Sequence, residues 1–185
     1  MFGKGFLQDV RHNLWECFFI PHSLRKDLPM KLTTIIPVHN AEKYITATLD
    51  SVLLQDLGNP EELEVICVDD ASTDASVALI KDYQQKDSRI RLFLNEKTRF
   101  AGACRNKGIE EAHGDYLHFL DADDLVEKGA YQKYLSIAEQ ADADMVKGCA
   151  VCFDNETGEL SDTPLFALSD VPAECFDKVL NFHQA

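Results

Sequence analysis

The sequence predicts an α/β domain built on a mainly parallel sheet with helices on both faces. Apolar, β-branched runs alternate with helix-period segments at intervals of about thirty residues from Leu32 onward, the rhythm of strand–helix crossovers. The runs are nearly continuous in apolar character, as expected of strands covered on both sides. Three of them end in polar clusters: Pro37-Val38-His39-Asn40, Asp69-Asp70 and Asp121-Ala122-Asp123-Asp124. Ligands of such sheets bind outside the carboxyl ends of the strands. These clusters therefore mark the expected site.

Residues 1–30 stand apart from the domain. Phe6, Leu7, Val10, Leu14, Trp15, Phe18 and Phe19 recur at helical spacing and predict an amphipathic helix over residues 2–20. Such a helix docks on the domain or on a partner subunit, which would make a homodimer, or it makes peripheral membrane contact. Its polar face has few Lys or Arg, which weighs against the membrane. Pro21 and Pro29 punctuate a linker, and the domain proper spans residues 31–185.

Within the domain, Leu32 to Val38 is the first strand, followed by a helix from about Glu42 to Leu54. Leu63 to Val68 is the second strand, and Ser72-Thr73-Asp74 supplies N-cap chemistry for a helix to about Gln85. Ile90 to Leu94 is the third strand, with a helix from Ala103 to Ala112 stopped by Gly114. Tyr116 to Leu120 is the fourth strand, Lys128 to Ala141 a further helix, and Asp144 to Phe153 a fifth, longer strand. Asn155 to Gly158 reads as a turn, and the last thirty or so residues show no clear period.

Composition narrows the function. The chain has 185 residues and a formal charge of −14, enough length for one full core and the wrong sign for a nucleic-acid partner. An acidic protein that handles a phosphorylated ligand needs a cation between the two. Cys67 and Cys104 sit in buried-looking runs, and Cys149-x-x-Cys152 lacks the second ligand pair of a zinc site. Charged residues interrupt the N-terminal apolar run, so it does not read as a signal peptide, and nothing approaches a membrane span. A reducing, cytoplasmic setting follows, at the inner face of the membrane if the first helix engages it.

The acidic cluster after Tyr116-Leu117-His118-Phe119-Leu120 is the sharpest chemical signal. Carboxylate oxygens are what Mg²⁺ and Mn²⁺ prefer, and Asp121-x-Asp123 lets two side chains converge on one ion if the backbone turns. An acidic solvated turn is the plain alternative. Asp70 can equally be a helix-start acid. Arg105 and Asn106, after Arg99-Phe100-Ala101-Gly102, suit phosphate at a helix start, or Arg105 braces Asp121 or Asp123.

Taken together, Ile35-Ile36-Pro37-Val38-His39-Asn40, Val68-Asp69-Asp70-Ala71-Ser72-Thr73-Asp74, Ala103-Cys104-Arg105-Asn106-Lys107-Gly108 and Phe119-Leu120-Asp121-Ala122-Asp123-Asp124 resemble, in order and spacing, the family 2 glycosyltransferases. The resemblance covers about Leu32 to Phe153. It implies a GT-A fold and an inverting transfer of sugar from a nucleotide-sugar, with uridine diphosphate as the expected carrier, to a glycan or lipid-linked acceptor in cell-surface polysaccharide synthesis. It implies Mg²⁺ or Mn²⁺ as cofactor, with Asp121 and Asp123 as metal ligands. The implied donor-binding residues are Pro37, His39, Asn40, Asp69, Asp70, Gly102, Arg105, Asn106 and Asp121, with the base on Pro37, His39 and Asp69. Phe100 and Ala101 depart from the family's more Gly-rich or Pro-containing loop. No catalytic base is identifiable: Asp162, Asp170, Glu174 and Asp177 form no acidic pair, so the base is expected beyond the chain end, in an acceptor-binding part that this sequence lacks. A non-catalytic nucleotide-sugar-binding module is the alternative. A nucleotidyltransferase is disfavoured because His39-Asn40-Ala41-Glu42-Lys43 is not a Gly-rich basic loop. A phosphoacceptor domain is disfavoured because Leu92-Phe93-Leu94-Asn95 offers no acid.

Overall fold

The structure, a computed structural model, describes residues 31–147 and the backbone of 151–153 and 160–164. The expected helix over residues 2–20, the turn at residues 155–158 and the late carboxylates Asp170, Glu174 and Asp177 lie outside the described residues.

Four strands form one parallel sheet: β1 (Leu32–Val38), β2 (Leu63–Asp69), β3 (Ile90–Leu94) and β4 (Tyr116–Phe119), in the order β3-β2-β1-β4. Register runs from Leu32↔Leu63 to Val38↔Asp69 across β1 and β2, and from Leu32↔Tyr116 to Ile35↔Phe119 across β1 and β4. The helices are α1 (Ile45–Leu53), α2 (Ser76–Lys86), α3 (Phe100–Glu111) and α4 (Ala130–Ala141). A two-residue period sends alternate side chains of each strand to opposite faces. Leu32, Ile36 and Val38 of β1 and Leu63, Val65 and Cys67 of β2 pack with Ile45, Leu49 and Val52 of α1, Ile80 of α2, and Tyr131 and Ala138 of α4. Ile35, Ile66 and Val68 face the other way, onto Cys104 of α3. Both faces of β1 and β2 are thus covered, which explains why they are apolar almost throughout. Cys67 and Cys104 are buried free thiols.

α3 comes close to the sheet because of Gly108. A Cβ built there would lie 2.3 Å from Ile35 Cγ2, a stiff β-branched side chain that is itself fully buried. Gly108→Ala should therefore destabilise the domain by about 1–3 kcal/mol through overpacking, read as a lower urea midpoint at unchanged slope.

The expected fifth strand is shorter and differently placed. Residues 144–147 are not strand; Val146 packs against the main core cluster instead, after Asp142 turns the chain at φ 49°. Strand β5 (Val151–Phe153) pairs antiparallel with β6 (Leu160–Pro164) in a separate two-stranded ribbon.

Candidate functional site

Strands β2 and β4 flank β1, so the three polar clusters emerge side by side on one rim, where the strand order reverses. They enclose a cleft of about 410 Å³ lined by Pro37, His39, Asn40, Tyr44, Asp70, Cys104, Arg105, Asp121 and Asp123, among others. Seven of the residues singled out from the sequence meet on its wall; Asp69, Gly102 and Asn106 do not line it. A second cavity, of about 300 Å³, opens near the opposite rim between the end of α1 and Leu63, away from every motif.

The loops after β1 and β2 are laced together. Asn40 N donates to Ser72 Oγ (3.0 Å), Ala41 N to Ser76 Oγ (2.8 Å) and Glu42 N to Asp74 Oδ2 (3.0 Å). In return Thr73 N donates to Asn40 Oδ1 (2.9 Å) and Ala75 N to Glu42 Oε2 (2.9 Å). Asp74 also accepts from Ser76 N at the start of α2. The Ser72-Thr73-Asp74 stretch is therefore a latch between two loops as well as a helix start. His39 Nδ1 lies 2.8 Å from the Asp70 carbonyl, which can only accept, so Nδ1 carries the proton and Nε2 faces the Asn40 amide at 3.2 Å. Asn40 (φ 51°), Ala71 (φ 59°) and Phe100 (φ 66°) are three of the four non-glycine residues with positive φ among the described residues, and all border this rim. Strain of that kind persists where surroundings over-determine the backbone, often at functional loops.

The adjacent acids Asp69 and Asp70 diverge. Asp70, 4% exposed, accepts from Asn95 Nδ2 (3.0 Å), Arg99 N (2.7 Å) and Phe100 N (2.8 Å), so its carboxylate holds the start of α3. Burial alone would raise its pKa; the N–H groups of Arg99, Asn95 and Phe100 outweigh that and hold it below the usual carboxylate value. This long-range cap starts α3 at Phe100, earlier than the expected Ala103. Gly102 therefore lies in the first turn of the helix, and Arg105 and Asn106 lie a turn beyond its start. Asp69, 3% exposed, accepts from Ser72 N at 3.0 Å through Oδ2, while its buried Oδ1 has no hydrogen-bond partner among the described residues. Cys104, at the cleft wall, is pushed up to about 11, by burial first and then by the Asp70 charge. It is no nucleophile.

Across the cleft, Arg105 Nη2 meets Asp121 Oδ1 at 2.6 Å, the brace that the sequence left open against a phosphate role. Asp124 N closes a turn onto Asp121 O at 3.1 Å, and Asp121, Asp123 and Asp124 are all exposed. Partial desolvation of its carboxyl first, and then the charges of Asp123 and Asp121, push the Asp124 pKa up. Among the described residues no group of three or more His, Cys, Asp or Glu is arranged to enclose a metal ion. That arrangement is not what Mg²⁺ or Mn²⁺ needs: one or two carboxylates suffice when phosphate oxygens and water complete the shell. The donor set fits such a cation.

Below the cleft, Tyr131 OH bridges Thr34 Oγ1 and His118 Nδ1, each at 2.9 Å. Burial lowers the His118 pKa from 6.5 to about 4, so the ring is neutral in the folded chain. Below pH 6.5 the unfolded histidine takes a proton that the folded one refuses, so this contribution is present above pH 6.5 and lost as pH falls towards 4. The shift sets its size at roughly 3 kcal/mol at most. Urea midpoints measured between pH 7 and 4 should fall more steeply for the wild type than for His118→Asn.

A parallel sheet with helices on both faces, strained loops at its carboxyl rim and an acidic pair opposite an arginine make an α/β domain with a candidate ligand cleft at its topological switch point. The chain belongs to glycosyl transferase family 2, whose model matches residues 33–181. An uncharacterized glycosyltransferase of Haemophilus influenzae is 36% identical over 129 residues, 70% of this chain and 50% of that protein. S. aureus TarS 1–349 in complex with UDP superposes with a TM-score of 0.56 at 32% identity, covering 60% of this chain and 32% of that one. The mannosyltransferase PcManGT from Pyrobaculum calidifontis, in complex with GDP-Man and Mn²⁺, gives a TM-score of 0.55 at 25% identity over 70% of this chain and 37% of that one. The chain thus spans half or less of the length of these proteins. Among the described residues no helix is long and apolar enough to cross a membrane.

Proposed function

We propose that residues 31–185 are the donor-binding domain of an inverting glycosyltransferase that moves sugar from a UDP-sugar to a glycan or lipid-linked acceptor in cell-surface polysaccharide synthesis. The observation that carries the reading is the meeting of Pro37, His39, Asp70, Arg105, Asp121 and Asp123 on one cleft at the point of strand reversal. The orphan Asp69 Oδ1, at the end of β2 beside the cleft although not on its wall, is the second support. A buried acceptor without a partner is costly, and a nucleobase N–H satisfies it. The His39 ring, fixed through Asp70 O, offers a flat face for that base.

Asp121 and Asp123 would hold Mg²⁺ or Mn²⁺, which when bound offsets charge on the departing nucleoside diphosphate. Arg105 supplies a fixed guanidinium beside the same charge, and Asp121 keeps that group aimed into the cleft. The polymer-building role and the acceptor class rest on membership of the family. The base that takes the acceptor's proton is not among the cleft residues in this reading. Titrating UDP into the chain in Mn²⁺ and in chelator, with UDP-sugar hydrolysis followed in parallel, tests the proposal. Binding that tightens in Mn²⁺ is the expected result. No UDP binding in either condition overturns it. Binding without donor hydrolysis or transfer by the full-length protein would instead mark a non-catalytic module.

A further inference from the structure

One face of α1 does more than pack on the sheet. Beside its apolar residues Ile45, Leu49 and Val52 stand Thr48 and Ser51, three apart on one side of the helix, and Gln55 follows two residues past its end. All three side chains bind the backbone of the acidic stretch or of the loop that follows it. Thr48, fully buried, donates from Oγ1 to Ala122 O at 2.8 Å. Ser51 Oγ accepts from Val126 N at 3.1 Å. Gln55, 4% exposed, donates from Nε2 to Glu127 O at 3.0 Å and accepts at Oε1 from Tyr131 N at 3.3 Å. The chain from Ala122 to Tyr131 is thereby fixed at four backbone points.

We propose that Thr48, with Ser51 and Gln55 behind it, is the positioning residue of the acidic loop, and that cation-dependent nucleotide binding at Asp121 and Asp123 depends on a helix that touches neither ligand. This rests on the reading of those two acids as cation ligands. The physical reason lies in Ala122. Its carbonyl is pinned to α1 and its side chain is buried at 8% exposure, so the peptide between the two acids cannot rotate freely. Asp121 and Asp123 then leave the backbone in set directions on either side of a fixed point. With the hydroxyl of Thr48 gone, the Ala122 carbonyl is released and the two carboxylates lose their common aim. Partners one shell removed from a metal carry effects of this kind.

Thr48→Val keeps the volume and removes the hydroxyl; Thr48→Ser keeps the hydroxyl. UDP affinity is measured by titration in Mn²⁺ and in chelator, alongside Mn²⁺ binding alone by electron paramagnetic resonance. For Thr48→Val the account expects an affinity loss of roughly tenfold or more in Mn²⁺, weaker binding of Mn²⁺ itself, and no change in chelator beyond about twofold. Thr48→Ser should recover the Mn²⁺-dependent affinity. Ser51→Ala, less buried, should show the same pattern at smaller size and serves if Thr48→Val does not fold. Folded variants with wild-type Mn²⁺ dependence overturn the inference, as do equal losses in Mn²⁺ and chelator, which mean a merely structural role. A wild-type chain whose UDP binding ignores Mn²⁺ overturns the cation-site reading itself and this inference with it.

Discussion

Replacing Asp123 by Asn should lower the affinity for UDP in Mn²⁺ by at least about tenfold, or roughly 1.4 kcal/mol, while leaving affinity in chelator unchanged or slightly higher. The substitution keeps the shape and removes one unit of charge from an exposed position beside Asp121 and Asp124. Without a cation that charge only repels the diphosphate, so its loss costs nothing there. Asp69→Asn should behave differently. In the proposed function its orphan Oδ1 accepts a nucleobase N–H, so an amide in its place should weaken binding by a similar factor with or without metal. Calorimetric titration of both variants in the two conditions gives four affinities. Equal losses for Asp123→Asn in Mn²⁺ and chelator would make the acidic stretch a structural turn.

The second large effect concerns stability. Asp70→Ala removes the acceptor of three donors, Asn95 Nδ2, Arg99 N and Phe100 N, and should cost about 2–4 kcal/mol, with water at the loop limiting the loss. Because the Asp70 pKa is lowered in the folded chain, its stabilisation is present above its ordinary value of 3.8 and is lost as pH falls below it. The variant should therefore show a shallower acid limb than the wild type, along with faster amide exchange at Phe100 and Ala101. A urea-derived stability within about 0.5 kcal/mol of the wild type would mean that α3 starts where it does without this carboxylate.

The strands were the most legible part of the sequence. Leu32–Val38 and Ile90–Leu94 match the expected bounds, because a run buried on both faces declares itself by composition alone. Helix starts were less legible. α1 begins at Ile45, not Glu42, because Ala41 and Glu42 are held by Ser76 and Asp74 from the next loop. α3 begins at Phe100 because Asp70, thirty residues earlier, caps it. Such contacts leave no local trace.

The cleft residues Pro37, His39, Asn40, Asp121 and Asp123 were legible because their motifs end strands, and strand ends share a rim, whereas Arg105 was legible from its place near a helix start. Asp69 and Asp70 carry different expected roles, base contact and helix-start acid, but the helix whose start Asp70 holds is α3 and not the next one along the chain. Thr48, Ser51 and Gln55 were less legible. The signal was available as polar residues at i, i+3 and i+7 on and just past a helix with an apolar face, but their partners are backbone atoms more than seventy residues away.

A crystal structure of the chain soaked with UDP and Mn²⁺ tests the central claim most directly. The account predicts the uracil ring beside His39 with an N–H on Asp69 Oδ1, and a metal ion between the diphosphate and the carboxylates of Asp121 and Asp123. UDP bound away from this rim, or a diphosphate held in the cleft with Mn²⁺ absent from both carboxylates, would contradict it.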